Sequence, residues 1–142
     1  ENFFRELFHM EFPAEVGAGS QLAAAVVLFV TSLWQIPFCL LLQQLFGGAL
    51  APLIHVAGYG CIAVTVSLKP YYMLIPGAIP ARLMCSILKI LPNGLVAQPG
   101  SVTYLPELVT YQGFPAGVAS SLLWFLLLWG IGRRVFERKV EE

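Results

Sequence analysis

Long apolar runs, separated by short polar or proline-rich segments, dominate the pattern of this chain. No charged side chain occurs between Glu15 and Lys69. That stretch is more than twice the roughly 20 residues that one helix needs to cross a bilayer. Its first part, residues 20–46, is long enough to span with some tilt. The pattern therefore predicts a first transmembrane helix over this range.

A glycine pair at Gly47-Gly48 interrupts the apolar run, and a second apolar stretch follows over residues 51–68. Pro52 lies near its start, where a helix tolerates proline because a first-turn amide has no intrahelical partner. The sequence therefore predicts a second span, antiparallel to the first. Residues 20–68 together form a transmembrane hairpin in this interpretation.

A third uncharged stretch covers residues 113–132, and the charged segment 133–142 follows it directly. Small residues recur every four positions at Gly113, Gly117 and Ser121. This spacing lets helix backbones approach closely in lipid. We expect a last transmembrane helix that packs through this small-residue face, with its partner helix in this chain or in another.

The intervening segment 69–112 is rich in proline, so no single long helix is expected there. Residues 71–80 are apolar but broken by proline, which suits a short re-entrant segment buried against other helices. Residues 81–91 follow, with Arg82, Ser86 and Lys89 at helical spacing among apolar side chains. We predict an amphipathic helix that begins at Pro80 and ends before the turn Pro92-Asn93-Gly94.

The first residues, 1–12, place phenylalanine and leucine at helical spacing against charged side chains. A short amphipathic helix of this type suits the surface of a membrane, so residues 1–19 are expected to be an interfacial segment. No basic and apolar signal-peptide pattern precedes it, which is consistent with a piece of a longer protein.

The composition supports a membrane protein and excludes several activities. Hydrophobic residues make up 58% of the chain and charged residues 11%, against about a quarter charged in soluble domains. The sequence contains no aspartate, no phosphate-binding loop and no zinc-protease or serine-hydrolase motif. The three scattered cysteines form no metal-binding spacing. We therefore expect no catalytic residue, no metal site and no cofactor in this chain. The net charge of zero argues against a nucleic-acid partner.

Pro37 lies in the middle of the first predicted span, where it removes a backbone hydrogen bond. The freed carbonyl has Thr31, Ser32 and Gln35 nearby as possible partners. Two interpretations follow: a hinge, or a static kink satisfied by neighbouring helices.

His55 is an ionisable residue one turn into the second span, and such residues are functional candidates by default. In one interpretation, His55 takes part in a proton relay or contacts the substrate. In the other it is a neutral structural histidine, bonded to a carbonyl or to Gln43 or Gln44.

Arg82 and Lys89 also allow two interpretations. They bind an anionic or polar ligand outside the membrane, or they are the cations of a helix lying at the lipid headgroups.

The orientation follows from the cations. Four of them lie within seven residues after the last apolar stretch: Arg133, Arg134, Arg138 and Lys139. The positive-inside bias acts most strongly close to a span end. The segment 133–142 is therefore expected in the cytoplasm, and residues 69–112 outside.

Two parts of the chain resemble a known family. Residues 69–95, above all IPARLMCSILKILPNGL, resemble the external segment between the last two spans of permease subunits of lantibiotic (bacteriocin) immunity ABC exporters. The closing span with RRVFERK resembles their last helix and basic end. Permeases of this family usually have about six spans, and their first helices, including the cytoplasmic coupling helix that contacts the ATPase, are missing from this chain or lie on a stretch outside this sequence.

The resemblance implies an all-α integral membrane protein of the type-2 ABC exporter class, located in the bacterial plasma membrane. This chain would supply three transmembrane helices and an external re-entrant and amphipathic segment. The implied partners are an ABC ATPase subunit that binds ATP and magnesium, a second permease subunit, the lipid bilayer and a peptide substrate. The substrate or gate candidates are Arg82, Lys89, Pro92, Asn93, Gly94, Gln35 and His55. The alternative function is a non-transporting membrane scaffold within a larger complex.

Overall fold

The computed structural model describes residues 16–140. The predicted interfacial helix over residues 1–12 lies outside this part. Regular structure in the described part is helical, apart from one isolated antiparallel bridge between Ile90 and Val96. The α-helices are α1 (Ala18–Ser32), α2 (Gln35–Phe46), α3 (Leu50–Thr65), α4 (Ile79–Leu88) and α5 (Phe114–Val140). Three short 3-10 helices complete the described part: Tyr72–Leu74, Pro76–Ala78 and Pro106–Val109.

The first predicted span is a pair of helices, α1 and α2, interrupted at Leu33 and Trp34. Together they form a candidate membrane span, Ala18–Phe46. Pro37 has no N–H to donate to the Leu33 carbonyl, and the N–H of Ile36 bonds to that oxygen instead, at 3.2 Å. The expected interruption is confirmed, and the freed carbonyl is satisfied within the backbone. Thr31 is not its partner, because the Thr31 hydroxyl donates to Val27 in its own helix at 2.7 Å.

The second predicted span is shorter in the structure than the pattern suggested. Helix α3 has 16 residues, which gives a length of about 24 Å. The chain then continues as turns over residues 66–71. By length α3 is one of the shorter apolar helices and is not a candidate span on that criterion alone.

The last predicted span is confirmed as a candidate by helix α5, of which Phe114–Arg138 is long and apolar enough to cross a membrane. The helix does not end at Gly132 but continues to Val140. The first part of the basic segment 133–142 is therefore helical.

The relative directions of the long helices follow from their contacts. Val27 of α1 and Val118 of α5 pack against the same buried cluster. Further along both chains, Leu41 of α2 lies against Gly132 of α5. The pair α1–α2 is therefore parallel to α5, whereas α3 runs antiparallel to both. We call the end with α4 and residues 66–112 the loop end, and the opposite end the tail end.

The proline-broken stretch 71–80 packs against the helices mainly through its second half, whereas Tyr71 and Leu74 are exposed. It forms two 3-10 turns, and Gly77, Ala78, Ile79 and Pro80 are buried. A Cβ at Gly77 would lie 3.2 Å from the Ile62 side chain of α3. Glycine therefore allows this turn to approach α3 closely.

Helix α4 differs from the prediction in its bounds and in its surroundings. It begins at Ile79, with Pro80 in its first turn, and ends at Leu88 rather than before Pro92. Lys89 adopts a left-handed conformation with φ 56° and its N–H bonds to Cys85, so the helix stops there. The helix packs against α1, α3 and α5. Helix α4 therefore packs against other parts of the protein, rather than presenting one face only to its surroundings. Six of its residues are buried: Ile79, Pro80, Leu83, Cys85, Ser86 and Ile87.

The small-residue face of α5 packs within this chain. A Cβ at Gly117 would lie 3.1 Å from Leu83 of α4. Gly113 precedes the helix with φ +77°, against Met73 and Tyr72. Ser121 is buried, and its hydroxyl donates to Val118 at 2.7 Å. The predicted close approach is confirmed for Gly117, and the partner helix is α4.

Candidate functional site: an aromatic pocket between the helices

A pocket of about 330 Å³ lies halfway along the helices, between α3 and α5. Helix α2 forms its back wall, and the turn around Gly77 closes it toward the loop end. Its walls are almost entirely apolar. It is lined by Trp34, Phe38, Ile54, His55, Gly58, Tyr59, Ile62, Ile75, Pro76, Gly77, Trp124 and Leu128.

Two of the candidate polar residues meet beside this pocket. The Nε2 of His55 lies 3.0 Å from the Oε1 of Gln35, although 20 positions separate them in the chain. Because an amide oxygen only accepts, Nε2 of His55 is the donor in this bond. The sequence placed both residues among the substrate candidates but did not pair them. The expected partner Gln43 or Gln44 is wrong, because the packing of α2 on α3 brings Gln35 to the histidine.

Three aromatic rings surround His55. Tyr59 stacks on the imidazole with ring centroids 5.9 Å apart, Phe38 lies at 5.8 Å, and Trp34 meets it edge-on at 6.1 Å. Offset and edge-on contacts of this kind stabilise aromatic pairs beyond simple burial. The rings therefore fix the orientation of the imidazole. Sequence reasoning missed Trp34, Phe38 and Tyr59, although Trp34 and Phe38 lie one turn apart and flank Gln35.

Trp34 has a further property. It is 4% exposed, and its indole N–H has no acceptor. An unpartnered donor in an apolar interior costs free energy, and tryptophan usually finds a partner when buried. The back wall of the pocket thus contains a donor without a bond, next to a paired amide and imidazole.

The walls of the pocket suit the binding of an apolar group. Within residues 16–140, no group of three His, Cys, Asp or Glu side chains is placed to hold a metal ion. Near the pocket, His55 contacts an amide and aromatic rings. The walls therefore match an apolar or aromatic group, with Gln35 and His55 as its polar neighbours.

The predicted external gate forms a second structure at the loop end. The polar face of α4 donates to successive backbone carbonyls of residues 107–110, which we call the strap. Arg82 reaches Glu107 at 3.4 Å, and Lys89 reaches Val109 at 2.6 Å. Ser86, buried on the helix, donates to Leu108 at 3.2 Å and to Thr110 at 2.7 Å. The polar stripe of α4 therefore ties down the strap.

Aromatic rings complete both cation sites. The Arg82 guanidinium lies 5.2 Å from the ring centre of Tyr72, and the Lys89 ammonium lies 5.2 Å from that of Tyr111. Such contacts stabilise a cation without neutralising it. Burial raises the pKa of the Tyr72 hydroxyl, and the charge of Arg82 opposes that rise. Tyr72 is thus a neutral platform for the arginine at physiological pH.

The turn Pro92-Asn93-Gly94 closes a small hairpin beside the strap. Gly94 has φ +85°, and its N–H bonds to Leu91 at 2.8 Å. Asn93 accepts from Leu95 and donates to Thr103 at 3.2 Å. These residues lie together at the loop end with Lys89, but far along the helices from Gln35 and His55. The seven substrate or gate candidates therefore fall into two groups.

We expect Cys85 in the folded protein to resist alkylation. It is 1% exposed, and burial raises the pKa of its thiol to about 11, although nearby Arg82 lowers it. The reactive thiolate is therefore scarce at neutral pH. In a C39S/C61S variant, a maleimide should leave Cys85 unmodified from pH 7 to pH 9. It should modify Cys85 once a denaturing detergent has unfolded the protein. Full labelling at pH 7 without denaturant would contradict the buried α4.

Comparison of the chain with protein-family models, with curated proteins and with solved structures gave no match.

Proposed function

We propose that this chain is a membrane permease subunit of an ATP-driven ABC exporter that expels antimicrobial peptides of the lantibiotic or bacteriocin type. The proposal joins the resemblance of residues 69–95 and of the C-terminal end to the arrangement of the helices. The observation that carries it is the aromatic pocket at mid-depth, because a permease for an apolar peptide needs such a site and a scaffold does not.

The exposed surface of the long helices supports a membrane location. Only 22% of the apolar window in Ala18–Phe46, and 11% of that in Phe114–Arg138, is buried within the fold. The core helix of a soluble protein would be largely buried. Exposed apolar surface on this scale marks contact with lipid or with another protein.

The directions of the helices support a third crossing by α3. The pair α1–α2 and helix α5 run from the loop end to the tail end, as described above. A chain that crosses twice in the same direction must return in between. Helix α3 is the return segment, and its length of about 24 Å is close to the roughly 30 Å of the hydrocarbon core.

In this proposal, different parts of the chain have different roles in transport. The pocket of Trp34, His55 and Tyr59 receives an apolar or aromatic side chain of the peptide from the lipid. The α4 helix and the strap form the external gate, since Arg82 and Lys89 hold a segment that releases when those bonds open. Pro37 lets α2 bend relative to α1. ATP and magnesium bind on a separate ATPase subunit, because this sequence has no phosphate-binding loop.

Affinity purification tests the partnership. We expect the tagged protein, solubilised from its source membrane in mild detergent, to elute with an ATPase subunit and a second permease chain. Addition of the bacteriocin should change the rate of ATP hydrolysis by that complex. Elution with other membrane proteins and no ATPase would favour the scaffold alternative.

Labelling of single cysteines tests the crossings. In a cysteine-free background, we expect a membrane-impermeant maleimide to label Val102→Cys from outside intact cells. Gly48→Cys and Glu137→Cys should react only after the membrane is permeabilised, because both lie at the tail end. All three native positions are exposed. Labelling of Gly48→Cys from outside would mean that α3 does not cross.

A further inference from the structure

A second pocket, of about 370 Å³, lies at the tail end between α2 and α5. We call it the tail-end groove. The walls farther from the end of α5 are apolar, with Leu40 and Leu41 on α2 and Trp129 on α5. Gly132 of α5 faces Leu41, and a Cβ at Gly132 would lie in ordinary contact with that side chain at 3.8 Å. Phe136, Arg133 and Glu137 line the part toward the end of α5.

The groove crosses the expected boundary between hydrocarbon and headgroups. The uncharged stretch of α5 ends at Gly132, and Arg133 is the first charged residue after it. Twenty helical residues span about 30 Å, the thickness of the hydrocarbon core. Trp129 therefore lies within the apolar layer, and Arg133 lies at the level of the lipid phosphates.

The charge at this level is positive. Arg133, Arg134 and Arg138 follow within one helical segment, and Glu137 is the acidic residue among them. Glu137 accepts a bond from the Nε of Arg133 at 2.6 Å. A guanidinium carries five N–H donors, so this bond uses a single donor of Arg133. Arg133 and Glu137 form an ion pair whose charges cancel, so the remaining N–H donors of Arg133, together with the charges of Arg134 and Arg138 on the same helical segment, are what suits the rim to a phosphate.

We propose that the tail-end groove binds one anionic phospholipid, with an acyl chain along Leu40, Leu41 and Trp129 and the phosphate at Arg133. A phospholipid matches the groove because its apolar and anionic parts are ordered like the groove walls, from mid-membrane outward. The proposal depends on the membrane location but not on the exporter function.

Quenching of Trp129 fluorescence by brominated lipids tests the proposal. Trp34→Phe and Trp124→Phe keep aromatic rings in the core and leave Trp129 as the single tryptophan. The protein is reconstituted in nanodiscs that carry either brominated phosphatidylglycerol or brominated phosphatidylcholine at equal mole fraction. We expect the anionic lipid to associate with Trp129 about fivefold more strongly, the preference that one cation near a membrane surface supplies.

Three variants of this background distinguish the groove from general surface charge. Arg133→Gln should abolish the preference, whereas the matched change Arg134→Gln, whose native residue does not line the groove, should retain most of it. Gly132→Leu should fill the groove and lower quenching by both lipids.

The outcomes separate this inference from the proposed function. Equal quenching by the two lipids, or equal losses in Arg133→Gln and Arg134→Gln, would overturn the lipid site and leave the exporter untouched. Failure of the wild type to enter nanodiscs would overturn the membrane location itself. If Gly132→Leu does not fold, the comparison of the two arginine variants still decides.

Discussion

Replacing Leu83 with alanine should lower the stability of the protein by about 2–5 kcal/mol, the cost of emptying a buried leucine site. Leu83 is 2% exposed and belongs to the cluster that joins α4 to the long helices. Its side chain also meets Gly117 of α5. The loss therefore loosens α4 from α5 as well as creating a cavity. Thermal unfolding of the detergent-solubilised protein, followed by size-exclusion chromatography, measures the effect.

Leu74→Ala is the matched control for this prediction. Leu74 lies in the neighbouring 3-10 turn but is 70% exposed, so its truncation should change stability by less than about 0.5 kcal/mol. Equal losses for the two leucines would contradict a core at the loop end.

Replacing His55 with leucine should abolish most protection against the exported peptide and lower stability by about 1–2 kcal/mol. The change removes the partner of the Gln35 amide and leaves a polar group in an almost entirely apolar region. It also removes the polar neighbour of a bound side chain. Bacteriocin sensitivity of cells that express the variant measures function, and the thermal assay measures stability.

The double variant Gln35→Leu/His55→Leu separates the two effects. Because it leaves neither polar group unpaired, it should regain stability relative to the single variants. It should remain unprotected if the pair contacts substrate. Gln43→Leu is the control, because Gln43 is exposed. Normal protection in the double variant would remove the pair from the transport mechanism.

Arg82 and Lys89 have a structural role at the proposed gate. Both side chains bond to carbonyls of the strap, so a change at either position disturbs structure as well as any ligand contact. The position of these bonds explains why the strap is held in place without a strand. It also explains why Ser86, which contributes two of the bonds, lies between the two cations in the sequence.

The long helices were largely predictable because their signal is local. A span requires a run of apolar residues of sufficient length, and the breaks at Pro37 and at Gly47 follow from backbone chemistry. The length of α3 was not predictable, because apolar residues continue past Thr65 to Leu68. The turns over residues 66–71 lead the chain into the 3-10 segment. The end of α3 is therefore set by packing rather than by hydrophobicity.

The periodicity of α4 predicts its polar face but not the groups that this face contacts. The pattern correctly gave a polar stripe with Arg82, Ser86 and Lys89 on one face. A stripe of donors is satisfied equally well by water, by headgroups or by carbonyls of a distant segment. The tertiary structure selected the carbonyls of residues 107–110, which lie about two dozen positions further along the chain.

The sequence by itself determined that this chain is predominantly helical and apolar, and that its last helix ends in a basic segment. Only the tertiary structure decided that His55 meets Gln35, that Trp34, Phe38 and Tyr59 enclose the imidazole, and that α3 and α5 leave a pocket between them. The physical reason is that helix formation and membrane preference depend on neighbouring residues, whereas a pocket depends on how separate helices pack. Residue 55 faces residue 35 because α3 turns back against α2, and no local pattern records that register.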